Sequence, residues 1–224
     1  MVAGMDPEPY DGPVVIDRTE GVAGGDLVLR RAGDDFEIIS NGVFLMDTRG
    51  SGSERVLIRA ALDRVGRPAR LLIGGLGVGF SLAEAVGSPE VTVTVVELEP
   101  AVIGWHATHL RSCSGGALED PRVTVVCADL LDWLGITSGS YDAICLDIDN
   151  GPDWTVTERN AELYGPAGLD LLAGRLTPGG TLAVWSANAS APFEDRLRAR
   201  FTDIEIRTLA VPRGEPDVVY LCGT

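Results

Sequence analysis

The sequence is poor in basic residues, has no closely paired cysteines and lacks any long apolar run, and each shortage excludes a class of protein. Its 18 basic residues stand against 33 acidic ones, which gives a formal net charge of -15. Such a surface repels phosphate backbones and anionic membranes, so nucleic acid is not an expected partner. The charge alone does not identify a substrate, because acidic surfaces also serve solubility.

Cysteine spacing and hydropathy argue against export and membrane insertion. The four cysteines form no CxxC pair, and three of them lie in or beside apolar runs, which predicts reduced structural thiols. No run approaches the roughly 20 apolar residues of a membrane span, and residues 1–10 lack the basic-then-apolar order of a signal peptide. We therefore expect a cytoplasmic protein with no membrane partner.

His106 and His109 lack a third ligand nearby, so no metal site is expected.

The order of β-favouring and helical segments predicts an α/β protein. Between residues 14 and 46, short β-favouring stretches separated by Gly, Asp and Asn predict a small antiparallel hairpin region. From Arg70 onward, strand-like and helical segments alternate, which predicts a mostly parallel seven-stranded sheet covered on both faces. The expected organisation is a tail and β-hairpin region over residues 1–52, followed by a Rossmann-like domain over residues 53–224.

A glycine-rich turn follows the first strand of this predicted sheet. The buried-strand signal of residues 71–73 runs directly into Gly74, Gly75, Gly77 and Gly79, and a helical pattern follows. Glycines there permit a tight turn and a close backbone approach to a ligand, and the helix N-terminus offers free N–H groups. The sequence therefore predicts a nucleoside-binding turn.

Two acidic residues strengthen this prediction. Glu97 ends the next strand, 22 residues after Gly75, where a carboxylate can accept hydrogen bonds from both ribose hydroxyls. Asp129 follows a third strand and is a candidate for the adenine amino group, although it is also a good N-cap for the helix after it. The glycine spacing departs from the G-x-G-x-x-G pattern of NAD sites and favours S-adenosylmethionine as the bound nucleoside.

Several motifs in order carry a family resemblance. Between about residues 41 and 185 the sequence resembles the spermidine synthase family of aminopropyltransferases, and more loosely the class I methyltransferases. The matching segments are residues 70–79 (RLLIGGLGVG), 95–100 (VVELEP), 120–123 with 128–129, 141–147 (YDAICLD) and 162–164 (ELY). The resemblance implies a Rossmann-like class I methyltransferase fold.

The resemblance also implies roles for the acceptor side of the site. Asp147 corresponds to the catalytic aspartate that helps to deprotonate an attacking amine, and Asp149 and Asn150 are close enough to take this role instead. Asn150, Trp154 and Tyr164 are candidates for shaping the acceptor site, and Tyr164 belongs to the family's leucine-tyrosine motif. We also consider Arg55 as a partner for a carboxylate on the acceptor, against the alternative of a solvated helix arginine.

The sequence departs from the family at two places. The family usually has an aspartate inside its glycine turn, near the amine of the donor, where this chain has Leu76 or Val78. The glutamine and tyrosine that help to bind polyamine are also absent, and Glu54 and Arg55 stand in that segment. We therefore expect S-adenosylmethionine as the cofactor and a small-molecule methyltransferase as the function.

Other functions stay open. An aminopropyltransferase that uses decarboxylated S-adenosylmethionine is the main alternative. A catalytically inactive nucleoside-binding or dimerisation module and transfer of an amino-carboxypropyl group are two more. The expected partner is a small-molecule acceptor, and the family's habit of pairing through its N-terminal region suggests a homodimer or homotetramer.

Overall fold

The computed structural model describes residues 12–50, 52–211 and 214–224. Its N-terminal part is an antiparallel four-stranded sheet in the order β1-β2-β3-β4. The strands are β1 (Val14–Glu20), β2 (Asp26–Ala32), β3 (Asp35–Ser40) and β4 (Val43–Asp47). The prediction of a hairpin region is confirmed, and Leu27, Leu29 and Ile38 bury one face of the sheet in the main hydrophobic core.

The second sheet has seven strands in the order β10-β11-β9-β8-β5-β6-β7. These strands are β5 (Ala69–Gly74), β6 (Val91–Glu97), β7 (Val123–Cys127), β8 (Tyr141–Leu146), β9 (Leu176–Ser186), β10 (Asp203–Leu209) and β11 (Asp217–Gly223). Strands β5 to β9 pair in parallel, and β10 and β11 add an antiparallel edge. The predicted Rossmann-like class I methyltransferase fold, with its mostly parallel seven-stranded sheet, is therefore confirmed.

Helices cover both faces of the parallel sheet. They are α1 (Gly52–Val65), α2 (Phe80–Val86), α3 (Pro100–Trp105), α4 (Leu130–Ile136), α5 (Pro166–Ala173) and α6 (Ala191–Arg200). Two hydrophobic clusters fill the layers between sheet and helices. Across residues 12–50, 52–211 and 214–224, no helix combines the length and the apolar character needed to cross a bilayer.

The helical patterns of residues 101–110 and of residues 161–175 predict one helix over each range, and both helices are shorter in the structure. The segment predicted over residues 101–110 ends as α3 at Trp105 and continues as turns, and the segment predicted over residues 161–175 is a 3₁₀ turn (Glu158–Glu162) followed by α5. Pro166 is the first residue of α5, a position that proline favours because its missing N–H is not needed there. The division of the chain at residue 52 stays a prediction.

Candidate active site

Strands β6 and β7 lie on one side of β5, and β8 and β9 lie on the other side. The candidate site lies at the carboxyl ends of β5 and β8, where the sheet changes its direction of growth. The backbone N–H of Asp147, just after β8, donates to the carbonyl oxygen of Gly74 at the end of β5 (2.9 Å). Beside this junction is a cavity of about 340 Å³, hereafter the cavity, which residues from both sheets line. Such switch points are the usual ligand sites of open α/β sheets.

The glycine turn contributes backbone to the cavity at two of its four predicted positions. Gly75 and Gly77 line the cavity and have φ angles of +89° and +49°. A Cβ at Gly75 would collide with the carbonyl oxygen of Asp147, and one at Gly77 with Met46 of β4. Gly74 and Gly79 are instead required by packing, because a Cβ would press on Leu130 or on the ring of His106.

Glu97 ties the glycine turn to β6. This carboxylate is buried, accepts hydrogen bonds from the backbone N–H groups of Leu76 and Glu99 (2.8 Å each), and lines the cavity. Burial raises the pKa of Glu97, whereas these backbone donors lower it. Glu97 thus lies where a ribose-binding carboxylate is expected. The adjacent Glu99, which was not predicted, accepts from the N–H of Val22 (3.0 Å) and holds the β1-β2 loop against the cavity.

Asp129 caps α4 and also lines the cavity, and its contact with an adenine amino group stays a prediction. It is the N-cap of α4, where its side chain accepts from the backbone N–H of Asp132 (3.1 Å). It also lines the cavity and forms an ion pair with Arg159 (3.2 Å). Its second carboxylate oxygen therefore already has a cationic partner at the rim of the cavity.

Asp147 and Glu54 place two carboxylates on one wall of the cavity. Asp147 accepts a hydrogen bond from the Ser81 hydroxyl (2.5 Å), and burial raises its pKa to about 6. Glu54, from the first turn of α1, was not predicted as a site residue. Burial, together with the negative charge of Asp147, raises the pKa of Glu54 to about 7. The only signal for Glu54 in the sequence is that it lies in the segment where the family has its amine-binding tyrosine.

Asp149 organises the loop after β8. Its Oδ1 accepts hydrogen bonds from the N–H of Val156 (2.7 Å) and from the amide of Asn160 (2.8 Å). Its Oδ2 is buried and accepts no hydrogen bond from the described residues. Burial raises its pKa, and its backbone has the unusual positive φ of 59°. Asp149 lines the cavity together with both Val156 and Asn160.

The structure does not bring Arg55 to the cavity. Its guanidinium pairs with Glu84 of α2 (3.2 Å) and lies over the ring of Phe80, 5.6 Å from the ring centre. Successive helical residues point about 100° apart, so α1 turns Glu54 into the cavity and Arg55 toward α2. The expectation that Arg55 faces an acceptor is therefore corrected.

Three other predicted residues also lie outside the cavity lining. The backbone of Asn150 accepts from the N–H of Ala187 (3.1 Å), and the side chain of Trp154 is 57% exposed beside a small separate depression. Tyr164 is fully buried, and its hydroxyl donates to the carbonyl oxygen of Ile148 (3.2 Å). Tyr164 therefore supports the loop after β8, and the roles of Asn150, Trp154 and Tyr164 toward an acceptor stay predictions.

The cavity is strongly acidic. Every charged side chain that lines it within the described part of the chain is a carboxylate, from Glu54, Glu97, Glu99, Asp129, Asp147, Asp149 and Glu158. Its remaining walls are largely apolar, with Leu27, Ile38, Leu45 and Met46 supplied by the hairpin sheet. A cationic ligand matches this lining, and the described residues contain no cluster of His, Cys, Asp or Glu arranged to hold a metal ion.

Comparison with known proteins identifies relatives of this fold. No family model matches the chain. It is 35% identical over 168 residues (73% of this chain) to the polyamine aminopropyltransferase of Corynebacterium efficiens. It is 33% identical over 190 residues (82% of this chain) to that of Mycobacterium tuberculosis. The chain spans 31% and 34% of the length of these two relatives.

Solved structures agree with these relatives. The chain superimposes on a spermidine synthase in complex with the transition state analogue AdoDATO with a TM-score of 0.78, at 16% identity, over 93% of this chain and 73% of that one. For the spermidine synthase of Thermotoga maritima the TM-score is 0.72, at 15% identity, over 93% and 72% of the two chains. The chain is a divergent spermidine synthase-like protein.

These relatives overturn one functional prediction. The expectation of a small-molecule methyltransferase with ordinary S-adenosylmethionine is wrong, because the relatives are polyamine aminopropyltransferases. The sequence argument failed because it took the missing acid at Leu76 or Val78, together with the missing glutamine and tyrosine in the segment of Glu54 and Arg55, as the loss of the amine site. In this spermidine synthase-like chain Leu76 is buried outside the cavity lining, and the carboxylates come from Glu54, Asp147 and Asp149.

Proposed function

We propose that this protein is an aminopropyltransferase that uses decarboxylated S-adenosylmethionine and a small cationic amine as acceptor. The observation that carries the proposal is the acidic cavity, whose lining among the described residues contains no Arg, Lys or His. A donor or acceptor that carries a carboxylate would be repelled there, because like charges at a few ångströms cost several kcal/mol when poorly solvated, on the order of 4 kcal/mol at 4 Å. An ammonium group on donor or acceptor would be stabilised.

The donor half of the cavity fits a nucleoside. The backbone at Gly75 and Gly77 allows close approach, Glu97 offers carboxylate oxygens to ribose hydroxyls, and Asp129 lies at the position proposed for the adenine edge. The donor supplies an electrophilic carbon bonded to a sulfonium. The roles of these residues are part of the proposal.

The acceptor half supplies a base. Asp147 is partly exposed where it lines the cavity, and its pKa of about 6 suits a carboxylate that takes up a proton near neutral pH. In the proposed reaction Asp147 removes a proton from the acceptor ammonium, and the freed nitrogen lone pair forms the new C–N bond. The C–S bond breaks, its electron pair stays on sulfur, and the products are a neutral thioether nucleoside and a longer amine.

Turnover with defined donors tests this function. The full chain is incubated with decarboxylated S-adenosylmethionine and 1,4-diaminobutane, and methylthioadenosine and the aminopropylated amine are measured by mass spectrometry. We expect both products in equal amounts, and neither product when ordinary S-adenosylmethionine replaces the decarboxylated donor. Binding of methylthioadenosine without turnover on any amine would overturn the proposal and leave a non-catalytic nucleoside-binding module.

A further inference from the structure

A buried histidine lies directly behind the glycine turn. His106, which follows α3, is only 3% exposed, and its Nε2 is 2.9 Å from the carbonyl oxygen of Gly77. The ring also packs against Gly79, where a Cβ would lie 2.7 Å from the imidazole Cε1. Gly77 lines the cavity and His106 does not, so the imidazole supports the turn from the side that faces away from the cavity.

The contacts of this imidazole define its tautomer. A carbonyl oxygen can only accept a hydrogen bond, so the Nε2 that faces Gly77 carries a proton. On the other side of the ring, Nδ1 lies 3.4 Å from the hydroxyl of Ser114, which can donate to it. Burial lowers the pKa of His106, and the Gly77 carbonyl offsets only part of this effect. At neutral pH the ring is therefore uncharged, and its N–H group is directed at the turn.

The peptide group between Gly77 and Val78 is held at both ends by side chains. Its carbonyl oxygen accepts from His106, and its N–H points to the sulfur of Met46 in β4 (3.2 Å). Sulfur is a weak acceptor, so the bond to His106 is the stronger of the two restraints. Glycine tolerates many backbone conformations, and Gly77 therefore does not fix the orientation of this peptide by itself.

The orientation of this peptide shapes the proposed nucleoside end of the cavity. Gly77 lines that end together with Glu97, which accepts from the N–H of Leu76 (2.8 Å). Glu97 thus fixes the start of the turn, and His106 fixes its centre. Rotation of the Gly77–Val78 peptide would change the wall on which the nucleoside is proposed to lie.

We propose that His106 is a positioning residue for the donor, which holds the Gly77–Val78 peptide in the orientation that binds the nucleoside and does not touch the nucleoside itself. This inference rests on the proposed binding of a nucleoside at the glycine turn. Without the imidazole N–H, the Gly77 carbonyl loses its partner and the peptide is free to rotate. The effect falls on donor affinity rather than on the chemical step, because Asp147 is held separately by Ser81.

The matched variants are His106→Phe, which keeps a ring and removes the N–H, and His106→Gln, which offers an amide N–H at a similar reach. His109→Phe is the control, because His109 is exposed three residues later in the same segment. In calorimetry we expect His106→Phe to weaken methylthioadenosine binding about tenfold, as for a hydrogen-bond acceptor left without its partner. The KM for the donor should rise by a similar factor while kcat stays within about twofold. His106→Gln should recover part of the loss, and His109→Phe should match the wild type.

Nitrogen NMR of the wild type tests the contact without any change at His106. The chain has two histidines, so in protein without a histidine tag the spectrum of His109→Phe assigns the signals of His106. We expect the Nε2–H tautomer in the empty protein and a shift of the Nε2 signal when methylthioadenosine binds. An Nδ1–H tautomer would overturn the inference even if His106→Phe does not fold.

The same measurements separate this inference from the proposed function. If His106→Phe binds methylthioadenosine as tightly as the wild type does, and the wild type turns over, the inference is wrong and the proposed function stands. If nucleoside binding depends on His106 but no amine is aminopropylated, the inference stands and the proposed reaction is wrong. A wild type that does not bind methylthioadenosine would overturn both.

Discussion

At the scale of single residues, two carboxylates only two positions apart have different surroundings. Asp147 accepts one side-chain hydrogen bond, from Ser81, and keeps an oxygen for a ligand. Asp149 uses its Oδ1 to hold Val156 and Asn160 of the following loop. The proposed base is therefore Asp147, and Asp149 is a residue that positions the loop.

We predict that Asp147→Asn lowers kcat by about 10²- to 10⁴-fold, the usual contribution of a general base, and leaves methylthioadenosine binding unchanged. Asp149→Asn should act mainly on the KM for the amine, because it weakens the hydrogen bonds that shape the loop. Steady-state kinetics with both variants, together with calorimetry on the nucleoside, measures the split. A larger loss of kcat in Asp149→Asn than in Asp147→Asn would assign the base to Asp149.

A residue's position in the cavity is easier to predict from the sequence when the residue ends a strand than when it lies on a helix. Asp147 and Glu97 come directly after or at the end of parallel strands, whose carboxyl ends meet at one edge, so their positions in the cavity follow from the strand pattern. Glu54 and Arg55 are neighbours on α1, and only the packing of α1 against α2 decides which of them faces the cavity. That packing depends on residues distant in sequence.

At the scale of elements, the glycine turn between β5 and α2 is a contact between the two sheets. Gly77 has a positive φ and lies against the side chain of Met46 in β4, and the N–H of Val78 points to the sulfur of Met46 (3.2 Å). The turn is therefore a proposed nucleoside-binding surface, and it also packs against the hairpin sheet. A side chain at Gly77 would disturb both.

We predict that Gly77→Ala weakens methylthioadenosine binding by at least about tenfold, because the added methyl group displaces Met46 or the turn itself. The control is Gly33→Ala, whose φ of +65° carries a similar backbone cost of about 1–2 kcal/mol but whose added methyl meets no atom within 4 Å. Calorimetry measures nucleoside binding and chemical denaturation measures stability. Comparison of the two variants therefore separates the effect of backbone strain from the effect of the contact with Met46. Normal nucleoside binding by Gly77→Ala would rule out the proposed role of this turn.

The sequence predicted the element order well but not every element length. The β-α alternation follows from apolar runs and glycine or proline breaks, and all eleven strands correspond to predicted stretches. The segment over residues 101–110 continues its apolar pattern after the helix stops, because Trp105 and Leu110 are buried through a series of turns rather than along one helix face. The spacing of apolar residues in the sequence cannot by itself distinguish a single helix from a series of turns.

At the scale of the whole molecule, the acidic cavity couples ligand charge to folding. Glu54 has a pKa of about 7 in the folded protein against an ordinary value of 4.5, and Asp147 about 6 against 3.8. For an acid whose pKa is raised by folding, the associated stability is fully present below the unfolded pKa and is lost as the pH rises through the folded pKa. Ionisation of Glu54 and Asp147 should therefore lower the stability of the empty protein as the pH rises from about 4 to about 7.

We predict that Glu54→Gln raises the free energy of unfolding at pH 8 by about 1–3 kcal/mol and changes it little at about pH 3.5, where Glu54 is largely protonated in both states. Urea denaturation at the two pH values measures the difference, and the control Glu90→Gln, whose glutamate is exposed just before β6, should follow the wild type at both. At pH 8, 1,4-diaminobutane should raise the Tm of the wild type more than that of Glu54→Gln, because a ligand that binds only the folded state stabilises it. A Glu54→Gln variant that is no more stable than the wild type at pH 8 would show that the cavity already neutralises this carboxylate, so an incoming amine would gain nothing from its charge.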